Sequence, residues 1–150
     1  LVTIYIKEVL GIKTSQKFFH QLLMLYRPFE NRLNVHLAEH QLYRAQWTIL
    51  YYLAHNGSVT LVELSHYMGV EKPTVTRTMS RLEELGYVEH VPGKDKREKR
   101  MQLSEAGKQV YKDVRVTIDD YEQAILEGIT EQEQMETIRI MEEIRKNITK

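Results

Sequence analysis

Residues 60–87 read TLVELSHYMGVEKPTVTRTMSRLEELGY, and the architecture turns on them. Thr60 stands three residues before Glu63, the spacing at which each side chain satisfies the other's exposed backbone N–H, so a helix starts here. Leu61, Leu64 and Met68 form its apolar side, and Gly69 suits the left-handed residue that ends a helix. Pro73 fits a first helical turn, where its missing N–H would go unpaired anyway. Val75, Met79, Leu82 and Leu85 then recur on one face of a second helix, which Gly86 closes. With those residues facing a core, Thr74, Thr76, Arg77, Ser80 and Arg81 turn outward together.

Working outward, Tyr87 to Val91 alternates as a half-exposed strand does, Pro92-Gly93 marks a turn, and Arg100 to Leu103 returns as a second strand. The hairpin so formed carries Lys94-Asp95-Lys96-Arg97-Glu98-Lys99-Arg100 at its tip. Ser104 is a good N-cap for a long helix through Val110, Val114, Ile118, Tyr121 and Ile125. Thr130 and Glu133 repeat the capping box and open a last helix with Met135, Ile138, Met141, Ile144 and Ile148 on one side. Toward the N-terminus, Trp47, Leu50, Leu53 and Ala54 predict a helix from Tyr43 to His55, stopped by Asn56-Gly57. Phe19, Leu22, Tyr26, Phe29, Leu33 and Leu37 predict another over 13–37. Pro28 falls inside it and predicts a kink near Leu25 to Arg27, with a helix in two pieces as the alternative.

A short helix, a glycine turn, a second helix and a basic hairpin follow one another in the order of a winged helix-turn-helix, so the fold class is mainly α with a small β-hairpin wing. The outward face of the second helix is suited to duplex DNA. Arginine can grip guanine with two parallel hydrogen bonds in the major groove, threonine and serine meet phosphates or base edges, and Lys72 near the helix N-terminus favours phosphate. A slender basic tip such as Lys94 to Arg97 suits a narrow minor groove. Each element has a plainer account: an amphipathic surface helix, and a solvated charged turn. Charge sorting favours DNA. From Lys72 to Arg81 there are three basic residues and no acidic one, and from Lys94 to Arg100 five basic against two acidic, whereas from Asp119 to the end nine acidic residues outnumber four basic.

Composition narrows the class. A chain of 150 residues, 42% hydrophobic and 28% charged, fits one globular domain, and no segment is apolar enough for long enough to cross a bilayer. The opening LVTIYIKEVLG is interrupted by Lys7 and Glu8 and followed by no small-residue cleavage site, so no secretory signal is expected and the cytoplasm is the expected address. A net charge of zero argues against a nonspecific polycation. The absence of cysteine excludes disulfides, thiolate zinc sites and cysteine redox sensing. No nucleophile elbow, phosphate loop or metal-binding helix motif supports an enzyme, and no cofactor is expected. His36 and His40, four apart, could share a helix face and chelate, but the helix after Ser104 has no histidine to complete a zinc site, so no metal is expected.

Gln46-Trp47 with Leu50 and Leu53, Leu64-Ser65, Gly69-Val70, Thr76-Arg77, Leu82-Glu83, Leu85-Gly86-Tyr87-Val88, and Asp95-Lys96-Arg97 followed by Leu103-Ser104-Glu105-Ala106-Gly107 together resemble the MarR family of bacterial transcriptional regulators. The resemblance runs through nearly the whole chain, and the wing pattern is its most specific part. It implies a homodimer whose first and last helices (about 13–37 and 104–150) intertwine, with winged lobes (about 42–103) on a near-palindromic site; a repressor is the expected reading, and repression or activation depends on where the site lies relative to a promoter. Apolar stripes at both ends exceed what a small winged core can cover, which fits; packing of the two ends on each other within one monomer is the alternative. The resemblance assigns Arg97 to the minor groove, Asp95 to bracing it or its neighbour, and Lys72, Thr74, Thr76, Arg77, Ser80 and Arg81 to the recognition helix. It also implies release of DNA by a small aromatic or phenolic acid in a crevice, for which Tyr26, His36, Tyr43, Arg44, Trp47 and Tyr51 are the candidates, an aromatic wall with one cation. Core or interface roles compete for each of these six. A regulator without effector, and a winged-helix module binding protein or RNA, are the competing functions.

Overall fold

The computed structural model describes residues 1, 2, 4, 11–92 and 97–150; most of the opening segment and the wing residues Lys94, Asp95 and Lys96 lie outside the described residues. Eight of the described elements fall where the sequence pattern places them: helices α1 (Thr14–Ala38), α2 (Arg44–Asn56), α3 (Leu61–Met68), α4 (Lys72–Glu84), α5 (Glu105–Ile125) and α6 (Glu131–Ile148), and the two wing strands β2 (Val88–His90) and β3 (Met101–Leu103). A further strand, β1 (Ser58–Val59), lies between α2 and α3 and was not expected. It pairs antiparallel with β3, Ser58 opposite Gln102 and Val59 opposite Met101, so the wing is the outer part of a three-stranded sheet in the order β1-β3-β2. β2 completes it, with Val88 opposite Leu103 and His90 opposite Met101. Pro28 sits within α1, which is one element across it and not two.

Local chemistry sets the helix ends. Thr60 Oγ1 accepts from the Glu63 N–H at 3.2 Å while Glu63 accepts from the Thr60 N–H at 3.2 Å. Gly69 ends α3 with φ 65°, a left-handed backbone that a side chain disfavours. α2 is started differently: the Gln46 side chain, itself buried, accepts from the Tyr43 N–H at 3.1 Å, so a polar group is brought inside with its bond made.

The chain forms two compact units, residues 1–116 and 117–150. In the first, Leu37, Ile49, Leu50, Leu53, Leu64, Val75, Leu82 and Val88 are buried, which joins the inward faces of α1 to α4 and the sheet into one core. Ser104 locks the start of α5 onto the sheet: its hydroxyl donates to Gly86 O at 2.6 Å and accepts from the Gly107 N–H at 3.0 Å, and its own N–H donates to Tyr87 O at 3.1 Å. Gly107 packs directly on the Tyr87 carbonyl, where an added Cβ would collide with backbone. That contact is the physical content of Leu-Ser-x-x-Gly at this junction. In the second unit, Ile118 and Tyr121 are buried, while every residue of α6 keeps some exposure.

Candidate nucleic-acid interface

α4 presents the two faces its spacing demands. Val75, Met79 and Leu82 are buried, as is Thr78, and Lys72, Thr76, Arg77, Ser80 and Arg81 are exposed; Thr74 is half-buried. The hydroxyls are already oriented by their helix: Thr76 Oγ1 donates to Lys72 O at 2.9 Å and Thr78 Oγ1 to Thr74 O at 3.1 Å. Thr76 therefore meets a ligand as an acceptor and a methyl group unless it gives up that bond. Arg77 has no partner among the described residues, whereas Arg81 is held at 3.1 Å by Glu84. Between α4 and the sheet runs a cleft of about 330 Å³ with Met79, Met101 and Leu61 in its floor and Thr76, Ser80, Glu83, His90 and Lys99 around it. Across it, His90 Nε2 lies 3.8 Å from Glu83.

In the wing, Arg97 is exposed, and Lys94, Asp95 and Lys96 cannot be placed with it because they fall outside the described residues. Arg100, counted in the same basic run, points elsewhere. Its guanidinium donates to both carboxylate oxygens of Glu63, at 3.1 and 3.4 Å, its Nε to Ser58 Oγ at 3.2 Å, and one nitrogen also to Glu98 at 3.4 Å. The positive field available to a polyanion is thus smaller than the count of basic residues suggests.

The six candidate ligand residues separate into groups. Tyr26 is exposed on α1, and its phenol is held above its ordinary pKa by a hydrogen bond to Glu30 and by that carboxylate's charge. Arg44 reaches the same Glu30 at 3.6 Å, which brings Tyr26 and Arg44 together around one acid. Tyr43, the N-cap of α2, is exposed, and half-buried His36 lies 3.8 Å from Glu39. Trp47 is only 4% exposed and stacks on Tyr111 at 5.2 Å between ring centroids, with the Arg115 guanidinium over its ring. Tyr51 stacks on His55 at 4.1 Å, and His55 meets Tyr111 edge-on. Tyr111, Arg115, His55 and Glu30 were missed by sequence reasoning; the i,i+4 spacings of Tyr26 to Glu30 and Tyr51 to His55 were the available signals, and nothing local announces Tyr111. A groove of about 670 Å³ beside them is lined by Tyr111, Leu53, Leu103, Lys108 and Lys112 among others, and by none of the six.

Residues 40–98 match the model of the MarR family. The HTH-type transcriptional regulator YwoH of Bacillus subtilis is 37% identical over 112 residues, 75% of this chain and 82% of that protein. An HTH-type transcriptional regulator of Staphylococcus aureus is 34% identical over 140 residues, 91% of this chain and 95% of its own. The structure of a Staphylococcus aureus MarR solved with salicylate and kanamycin superposes with a TM-score of 0.80 at 31% identity, over 90% of this chain and 92% of that one. This chain belongs to the MarR family. Its winged helix-turn-helix is the MarR fold, and it is a transcriptional regulator and not an enzyme. The same fold recurs at 21% identity, with a TM-score of 0.73, in a cysteine-to-serine variant of the MarR of E. coli complexed with operator DNA. Within the MarR frame, α3 and α4 are the helix-turn-helix and β2 and β3 the wing. Among the described residues, no helix is long and apolar enough to cross a membrane.

Proposed function

We propose that this MarR-family regulator binds a near-palindromic duplex site as a homodimer and represses transcription from it. The observation that carries this reading is the exposed face of α4: Lys72, Thr76, Arg77, Ser80 and Arg81 with half-buried Thr74 at its edge, and no acid before Glu83. That face has the groups that read major-groove edges and phosphates, and a relative is solved on operator DNA. Lys94, Asp95, Lys96 and Arg97 are the proposed second DNA-binding element. Helices over about 13–37 and 104–150 serve as the dimerisation region of a single domain spanning 1–150, with the DNA-binding lobe at about 42–103. Two lobes of one dimer then address half-sites about 34 to 36 Å apart, one turn of the duplex.

Selection from random duplex pools at near-physiological salt tests it. An enriched inverted repeat of that spacing is expected, whereas sequence-indifferent binding overturns the operator reading and favours a protein- or RNA-binding module. A small aromatic acid is the proposed effector, supported by the salicylate in the Staphylococcus aureus relative and by the Tyr26, Arg44 and Glu30 grouping here. His36, Tyr43, Trp47 and Tyr51 complete the proposed set. Such a ligand shifts DNA occupancy only if it binds the DNA-incompetent state more tightly. Titrating salicylate into the operator complex should release DNA; unchanged occupancy at saturating ligand removes the effector from the proposal.

A further inference from the structure

We infer that Arg100 is a positioning residue that ties the base of the wing to the start of the helix-turn-helix, and that Glu63 is its anchor. The inference rests on the wing serving DNA binding, as proposed above. Arg100 stands just before β3, and its carbonyl accepts from the Val91 N–H at 3.0 Å, so among the described residues it closes the outermost rung between the two arms of the hairpin. Residue 99, immediately before it, has φ 46°, a left-handed backbone uncommon for lysine, which sharpens the turn of the chain out of the sheet. From that rung the guanidinium reaches back across the sheet. It forks onto both oxygens of Glu63 and touches Ser58 on β1, while Glu63 caps α3 through the Thr60 N–H. Hairpin, edge strand and helix-turn-helix thus meet at one node. A forked arginine-carboxylate pair fixes direction as well as distance, as a single point charge does not. The Arg100 side chain is 21% exposed, which limits its availability to phosphate.

Neutralising Glu63 gives opposite signs for the two roles. If the carboxylate were only a surface charge, Glu63→Gln would tighten binding to a polyanion. If it anchors Arg100, the same change weakens binding by about three- to tenfold on the selected operator, the partly exposed pair being worth less than a buried one. Glutamine keeps the capping box, so the start of α3 is preserved and the change isolates the link. Arg100→Gln should produce the same loss, the double variant no more than either single one, and the slope of log affinity against log salt should stay as in wild type. Arg100→Lys keeps the charge without the fork and should not restore wild-type affinity.

The amide exchange rate of Val91 in the free protein gives a second measurement that needs no DNA. It should rise in both single variants while Leu64 and Leu82 exchange as in wild type. Unchanged Val91 exchange, tighter operator binding by Glu63→Gln, or a salt slope lowered by about one in Arg100→Gln each overturns the inference, the last by making Arg100 a phosphate ligand. If the wild-type protein itself shows no sequence preference, the operator reading is what has failed, and Val91 exchange still decides whether the node holds the hairpin.

Discussion

Gly107 has no space for a methyl group: a Cβ there would run into the Tyr87 carbonyl, which belongs to the backbone and cannot swing aside. Gly107→Ala should therefore cost about 1 to 3 kcal/mol by forced displacement of α5 from the sheet, read as a lower denaturation midpoint with unchanged slope. Arg77 is the complementary case, exposed and outside the core. Arg77→Ala should leave stability within about 0.5 kcal/mol and cost about 1 to 3 kcal/mol on the selected operator, with little change on random duplex; equal losses on both would remove it from base reading. What was legible at this scale was local. Thr60, Gly69, Pro73 and Ser104 could be read because each acts on a neighbour within a few positions. Trp47 and Arg100 could not be placed, because what defines them is a partner far along the chain, Tyr111 in one case and Glu63 in the other. An indole at helical spacing looks the same whether it walls a crevice or fills a core, and an arginine in a basic run looks the same whether it faces phosphate or a carboxylate.

At the scale of elements, periodicity located the six helices and both wing strands, while β1 escaped. Two residues carry no period, and their place in the sheet depends on pairing with Met101 and Gln102 more than forty positions away. The capping boxes yield separate expectations at α3 and α6. Thr60→Ala should cost about 0.5 to 2 kcal/mol, since an N-terminal donor loses its side-chain acceptor. At α6 the Glu133 carboxyl is held below its ordinary pKa by the Thr130 N–H and then by the Thr130 hydroxyl. A depressed carboxyl contributes in its ionised form. Its contribution is complete above the ordinary glutamate range and fades as the pH falls through the lower folded value. Thr130 amide exchange should accelerate over that acid window in wild type and show no such step in Glu133→Gln, which measures the cap without disturbing the rest of the helix.

For the whole molecule, the unresolved balance is apolar surface. Leu22, Leu23, Met24 and Leu25 are exposed in succession on α1, and on α6 Met135, Ile138 and Met141 are about half exposed or more. Apolar runs of this length are costly in water, at about 25 cal/mol for each Å² left uncovered, and the proposed homodimer would bury them. If that is the solution adopted, folding and association are linked, and stability must depend on concentration. Sedimentation should give twice the chain mass at micromolar concentration, and the melting temperature should rise with protein concentration. Leu23→Glu and Ile138→Glu, both on exposed positions, should shift the mass toward one chain, because each buries a charge in the contact without touching the core of residues 42–103. The same variants should lose affinity for the full operator far more than for an isolated half-site, since one lobe keeps its own contacts and loses only the tethered second. A single-chain mass at tens of micromolar with a concentration-independent melting temperature would sink the dimer, and with it the expected half-site spacing, because nothing would then hold two α4 helices one duplex turn apart.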